Sequence, residues 1–176
     1  ASSACPSAAT LLSEMTEDDF DDYADGLIAE GSTYHDIGMI WGARLSSPQG
    51  IWQNVVNDEP GNGGVVSRHL IYMTDGELAP TLTTVSSYGI ERHDQRVTGN
   101  GTSNQYERHR LRFLALCEAV KAKGIRLWVI AFGTGMTSDL ETCASDESSF
   151  AAGSGAALDS AFQNIANQVG ELRVTQ

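Results

Sequence analysis

Eight residues from Ile125 to Phe132, Ile-Arg-Leu-Trp-Val-Ile-Ala-Phe, carry one charge between them, on Arg126. So short and apolar a run, with Gly124 before it and Gly133-Thr134-Gly135 after it, reads as a strand buried on both faces. A strand covered twice belongs to a parallel sheet with helices on either side. A second strand is expected from about Ser67 to Met73, where a β-branched and aromatic run breaks into the polar turn Thr74-Asp75-Gly76-Glu77. A third, shorter one falls around Phe150.

The helices follow from periodicity and capping. Thr16 is a good N-cap, and Asp19 three residues on approximates a capping box. Phe20, Tyr23, Ala24, Leu27 and Ile28 form one apolar stripe, with a stop expected at Glu30-Gly31. After the loop Gly31-Ser32-Thr33 comes a second helix with Ile37, Ile40, Trp41 and Leu45 as its buried face, ended by Ser46-Ser47-Pro48. Residues 49–66 read as a surface excursion, and Leu78 to about Ser103 as a long irregular stretch of the functional or mobile kind. A third helix, about Asn104 to Lys123, buries Tyr106, Phe113, Leu114, Cys117 and Val120. A short helix near Asp139 to Ala144 follows. The last helix carries the stripe Leu158, Ala161, Phe162, Ile165, Ala166, Val169 and Leu172.

Strands alternating with helices imply right-handed βαβ crossovers and a parallel sheet, an α/β fold of Rossmann-like kind in a single domain over residues 1–176. Three strands against five helices leave a flank uncovered. A further piece of sheet is therefore expected on the amino-terminal side, and the opening Ala1-Ser2-Ser3 reads as the start of a processed or cloned fragment.

Charge and cysteines narrow the function. The net charge of −12 makes a nucleic-acid backbone an unsuitable partner. Residues 14–30 hold eight acids and no base, and residues 91–126 hold eight bases and four acids. Such blocks are commonly solvated helix faces, and the sharper reading is a polarised docking surface. No run approaches the roughly 18 apolar residues of a membrane helix. Cys5, Cys117 and Cys143 have no zinc-ligand spacing, and His35, His69, His93 and His109 have no paired helical spacing. A Cys117–Cys143 bridge and three free thiols are both open from these residues alone. Gly133-Thr134-Gly135 completes no nucleotide motif, and Asn100-Gly101-Thr102 is a weak glycosylation acceptor.

Two polar turns could converge on one site, Gly31-Ser32-Thr33 and Thr74-Asp75-Gly76. A hydroxyl and a carboxylate are hard donors suited to Mg²⁺, Mn²⁺ or Ca²⁺, although two ligands make a poor site for ions that take six or more oxygens. The local alternative for Asp75 is a side-chain-to-backbone turn before Gly76.

Gly31-Ser32-Thr33 followed by Leu70-Ile71-Tyr72-Met73-Thr74-Asp75-Gly76 resembles the second and third metal-site motifs of von Willebrand factor A domains. More narrowly, the segment Thr33 to Leu45 with Ser47-Pro48 is similar to TadG-like proteins of tight-adherence (Flp) pilus assembly. Arg112-Phe113, Leu116-Cys117, Lys121, Gly124-Ile125, Ile130-Ala131-Phe132-Gly133, Cys143-Ala144-Ser145, Ala161-Phe162 and Ile165-Ala166 continue the likeness to Leu172-Arg173.

The resemblance implies a doubly wound sheet of von Willebrand A type with its first strands missing. It implies Thr33 and Asp75 as metal-site residues, Asp75 more often acting through a coordinated water. It also implies that Cys117 and Cys143 pair in an oxidising compartment. The family's first metal motif, Asp-x-Ser-x-Ser, is absent and would lie upstream of Cys5, with a membrane anchor further upstream. A divalent cation is then expected to bind weakly or not at all in this stretch.

The function implied is non-catalytic: an adhesion or assembly module of the bacterial envelope, periplasmic or extracellular, binding a protein partner among pilus or envelope components. Two rivals stand beside it. One is a metal-free structural domain. The other is a metal-dependent hydrolase using Asp75 and Glu77, disfavoured because no histidine, serine or lysine is spaced to supply a nucleophile or acid.

Overall fold

The computed structural model describes residues 7–28, 30–58, 61 and 63–171. In chain order the elements are α1 (Glu17–Asp25), α2 (His35–Leu45), α3 (Gln53–Val56), β1 (Arg68–Thr74), α4 (Glu91–Asp94), α5 (Tyr106–Lys121), β2 (Ile125–Phe132), α6 (Ser138–Cys143), β3 (Ser149–Ala152) and α7 (Gly155–Glu171). The fold is mixed α/β. Its sheet has three strands in the order β1-β2-β3, all parallel and flanked by helices, compatible with a Rossmann-like architecture.

The chain divides into two compact units. The second unit, Ser67–Glu77 with Leu114–Gln176, holds the sheet. The apolar run becomes β2, in which Leu127, Trp128, Val129, Ile130 and Ala131 are fully buried. Full residue-by-residue pairing with β1, from Arg68↔Ile125 to Thr74↔Ala131, places β2 in the middle of the sheet. Alternation along the strand sends Trp128 and Ile130 to one face, where they pack with Ala152 of β3 and Ala161 and Ile165 of α7. Each large side chain buried there contributes roughly 1.5–3 kcal/mol. Gly124, at φ +72°, is the left-handed residue that turns the chain out of α5 and into β2, as its place after the helix predicts. At the start of α6 the Thr137 hydroxyl accepts from the Leu140 amide. At its end, Lys121 donates to the Thr142 and Ala144 carbonyls.

The first unit, Ala1–Val66 with Leu78–Phe113, contains α1 to α4 and the opening turns of α5. The capping box at α1 forms: the Thr16 hydroxyl accepts from the Asp19 amide, and the Asp19 carboxylate accepts from the Thr16 amide and hydroxyl. Three expectations need correction here, one of them Tyr106 at the start of α5, which is 41% exposed where burial was expected. α1 ends at Asp25 with Gly26 as its cap, ahead of Glu30-Gly31, and none of its residues is buried. The buried residues of α2 are His35, Asp36 and Met39, whereas Trp41 is 40% exposed. That helix is turned by a polar contact at Asp36, described below.

The stretch from Leu78 to Ser103 has more structure than its composition suggests, and Glu91 organises it. Its carboxylate is 3% exposed and accepts from the Val97 amide, the Thr98 amide and the Thr98 hydroxyl at 2.9, 2.7 and 2.6 Å. Gly101, at φ +66°, passes so near the Arg92 carbonyl that any side chain would collide with it. Burial would raise the Glu91 carboxyl. The hydrogen bonds from Thr98, Val97 and Arg96 outweigh burial and hold it below its ordinary 4.5.

A carboxylate lowered by folding stabilises the native state above its unfolded value, and that contribution fades as pH falls through the folded one. Glu91→Gln replaces one of the two accepting oxygens by an NH₂ group that faces a backbone N–H, and should cost about 1–3 kcal/mol at pH 7 in urea unfolding. The gap between the two proteins should be widest above pH 4.5 and narrow progressively in more acid solution.

Candidate functional site

The carboxyl end of β1 is the first candidate. Thr74 closes the strand, and its hydroxyl donates to the Gly76 carbonyl and accepts from the Gly76 amide at 3.1 and 3.3 Å. The turn is thus held by Thr74, and the local alternative for Asp75 does not describe it. Asp75 is exposed, and among the described residues no hydrogen bond or ion pair engages its carboxylate. Glu77 is exposed as well. Open α/β sheets bind ligands outside the carboxyl ends of their strands, and Asp75 stands at that end of β1.

Thr33 belongs to the other unit. It is half-buried, and its carbonyl accepts from the Ala79 amide at 3.0 Å. The turn before α2 is fastened from both sides. Ser32 donates to the Thr84 hydroxyl, while the Tyr34 hydroxyl donates to the Thr81 carbonyl and accepts from the Thr81 amide. Among the described residues, no three His, Cys, Asp or Glu side chains gather as a metal ion would require. A hard cation takes six or more oxygens. The β1 turn by itself offers fewer donors than that.

The strongest polar constellation in the first unit is one the sequence does not advertise. His109 of α5 and Asp36 of α2, 73 residues apart, meet with Nδ1 2.8 Å from Oδ2; they are 1% and 0% exposed. The Tyr88 hydroxyl donates to the same oxygen at 3.2 Å. The rings of Tyr34 and Tyr88 both stand edge-on to the imidazole. The Arg112 guanidinium lies over the Tyr88 ring at 4.9 Å.

Burial first, then the Asp36 carboxylate, push the Tyr88 phenol above its ordinary value, so it stays a donor. His109 Nε2 faces Gln105 Oε1 at 3.2 Å, and Gln105 Nε2 has no partner. A neutral ring carrying its proton on Nδ1 takes a donor at Nε2, which the Gln105 amide supplies once its two ends are exchanged.

This cluster is chemically suggestive, since a carboxylate orienting an imidazole is one half of a nucleophile-activating pair. The imidazole is nevertheless sealed, with both ring nitrogens occupied by protein groups and, among the described residues, no serine, cysteine or lysine bonded to it. Its arrangement fastens α2, α5 and the Tyr88 segment together. Helical spacing alone carried a hint of it. Gln105, His109, Phe113 and Cys117 fall four residues apart on one line, so two polar residues share the buried stripe of α5.

In the second unit Cys117 of α5 and Cys143 of α6 are joined by a disulfide, with Cα atoms 5.0 Å apart and both residues fully buried. Cys5 lies outside the described residues. On β1 and β2, the Trp128 indole donates to His69 Nδ1 at 3.1 Å, and His69 Nε2 faces the Ser67 hydroxyl at 2.8 Å. Burial, and then the Arg126 charge, lower the His69 pKa below its ordinary 6.5, in keeping with a neutral ring that accepts from tryptophan.

No protein-family model matches the chain, and neither does any curated protein or solved structure.

Proposed function

We propose that this chain is a non-catalytic binding module of von Willebrand factor A type, serving adhesion or assembly in the bacterial cell envelope. It engages a protein partner at the turn that closes β1. The observation that carries this reading is Asp75, an exposed carboxylate at the carboxyl end of a parallel strand, on a turn whose backbone is already held by Thr74. A carboxylate freed from structural duty there is available to a ligand. The cation would be Mg²⁺, Mn²⁺ or Ca²⁺, shared between Asp75, water and a carboxylate of the partner.

Two further observations support it. The Cys117–Cys143 bridge suits an oxidising compartment, periplasmic or extracellular. The histidine with the most catalytic potential, His109, is buried and engaged on both ring nitrogens, which favours binding over chemistry.

Calorimetric titration with Mn²⁺ tests the reading. Binding is expected to be weak, with Kd on the order of millimolar for so few protein ligands, and Asp75→Ala should abolish it. Thr33→Ala in the same titration reports separately on whether that hydroxyl belongs to the donor set. Identical isotherms for the native chain and Asp75→Ala would leave the metal-free structural domain as the better description.

A further inference from the structure

The loop between α4 and α5 surrounds one side chain, Asn100, with hydrogen bonds, and the residue after it is Gly101. Asn100 is exposed, and its Oδ1 accepts from the Thr102 and Ser103 amides at 3.1 and 3.0 Å. Its Nδ2 donates to the Ser103 hydroxyl at 2.5 Å. Two backbone N–H groups on one carbonyl oxygen are the donors that stabilise charge developing there when the carbonyl carbon is attacked.

The atom placed to attack it is the next backbone nitrogen. Gly101 is buried, held at its left-handed φ against the Arg92 carbonyl, and its N–H donates to the Thr98 hydroxyl at 3.1 Å. That hydroxyl donates in turn to Glu91 Oε1 at 2.6 Å. The Gly101 N–H, the Thr98 O–H and the Glu91 carboxylate therefore form a continuous path for a proton that ends on a base. An amide nitrogen attacks with electrons perpendicular to the peptide plane, so its in-plane N–H stays on Thr98 while the new bond forms. With no side chain on Gly101, nothing of its own crowds that approach.

We infer that Asn100 is a self-modification site, which the folded loop converts to aspartate and isoaspartate through a succinimide made with the Gly101 nitrogen. The new bond joins Gly101 N to Asn100 Cγ and closes the imide ring, while the Gly101 proton passes to Thr98 and the Thr98 proton to Glu91. The Cγ–Oδ1 electron pair moves onto Oδ1, where the Thr102 and Ser103 amides receive it. Its return breaks Cγ–Nδ2, and the nitrogen takes a proton from the Ser103 hydroxyl and leaves as ammonia. Solvent restores the Ser103 proton and takes up the one left on Glu91, so the sum of the step is loss of ammonia alone. Water then opens the ring at one carbonyl or the other, and the loop gains a carboxylate. The reaction is independent of Asp75 and of any cation.

Peptide mass mapping of the folded full chain, incubated at neutral pH, measures the conversion of Asn100, and isoaspartyl methyltransferase labelling reports the isoaspartate. The same chain held in urea gives the rate of the Asn100-Gly101 pair without the loop around it. Asn100 should convert about tenfold or more faster in the folded chain than in urea. Thr98→Val should lose that advantage, and Thr98→Ser, which keeps the hydroxyl, should retain most of it. An Asn100 that keeps its amide in the folded chain, or loses it no faster than in urea, would overturn the inference. So would a Thr98→Val protein that reacts as fast as the native one. The comparison of folded chain with urea uses the native sequence alone, so it decides the matter even where Thr98→Val fails to fold.

Discussion

Asp36→Ala is expected to destabilise the chain by about 2–6 kcal/mol, about 1–3 kcal/mol for each of the two buried donors left without an acceptor. The Asp36 carboxylate is fully buried and receives both the His109 imidazole and the Tyr88 hydroxyl on one oxygen. Truncation strands two donors in a site that water does not reach, each adding its own desolvation cost. Asp36→Asn keeps an oxygen acceptor at the same place and should lose less. Set against a total stability of about 5–15 kcal/mol, the alanine variant should unfold at a much lower urea concentration. Equal midpoints for native chain and Asp36→Ala would show that the cluster contributes no net stability. Tyr88→Phe removes only the weaker of the two donors and should cost about 1 kcal/mol.

The second large effect lies in the sheet-bearing unit. The Cys117–Cys143 bridge, with a sequence separation of 26, closes a loop that contains the whole of β2. In the chain-entropy account a loop of that size restricts the unfolded chain by roughly 3–4 kcal/mol. Cys117→Ala/Cys143→Ala should lose about that amount, and the same loss should follow when the native chain is unfolded in a strong reductant. Because both sulfurs are fully buried, the reductant should act in denaturant and leave the folded protein largely oxidised. A double variant with native stability would mean that the bridge constrains nothing the rest of the fold has not already fixed.

What the sequence shows and what it hides separate along physical lines. β2 is legible because a strand buried on both faces has no room for polar residues, so Ile125–Phe132 announces itself. The Thr16–Asp19 capping box and the Gly124 turn are legible because they are local, set by residues a few positions apart. The face of α2 is misread because periodicity assigns the apolar side inward, whereas Asp36 goes inward to meet a partner 73 residues away. Periodicity likewise finds the stripe of α1 and says nothing of what covers it. Glu91 is hidden for a related reason. Its partners are backbone amides of Val97 and Thr98, and no side-chain pattern encodes them.

The β1 turn falls between these cases. Thr74-Asp75-Gly76 reads plainly as a turn, and the division of labour within it does not, since Thr and Asp are equally able to bond the backbone. Thr74 holds the turn, and the Asp75 carboxylate has no hydrogen bond among the described residues.

The central claim, that the carboxyl end of β1 is a cation-assisted binding face, has one direct test. Mn²⁺ broadens NMR signals only close to where it binds, so adding it to the ¹⁵N-labelled chain maps its site residue by residue. The account predicts early, selective loss of the Thr74, Asp75 and Gly76 amide signals, restored in Asp75→Ala. Broadening confined to the acidic helix Glu17–Asp25, with the β1 turn untouched, would contradict it.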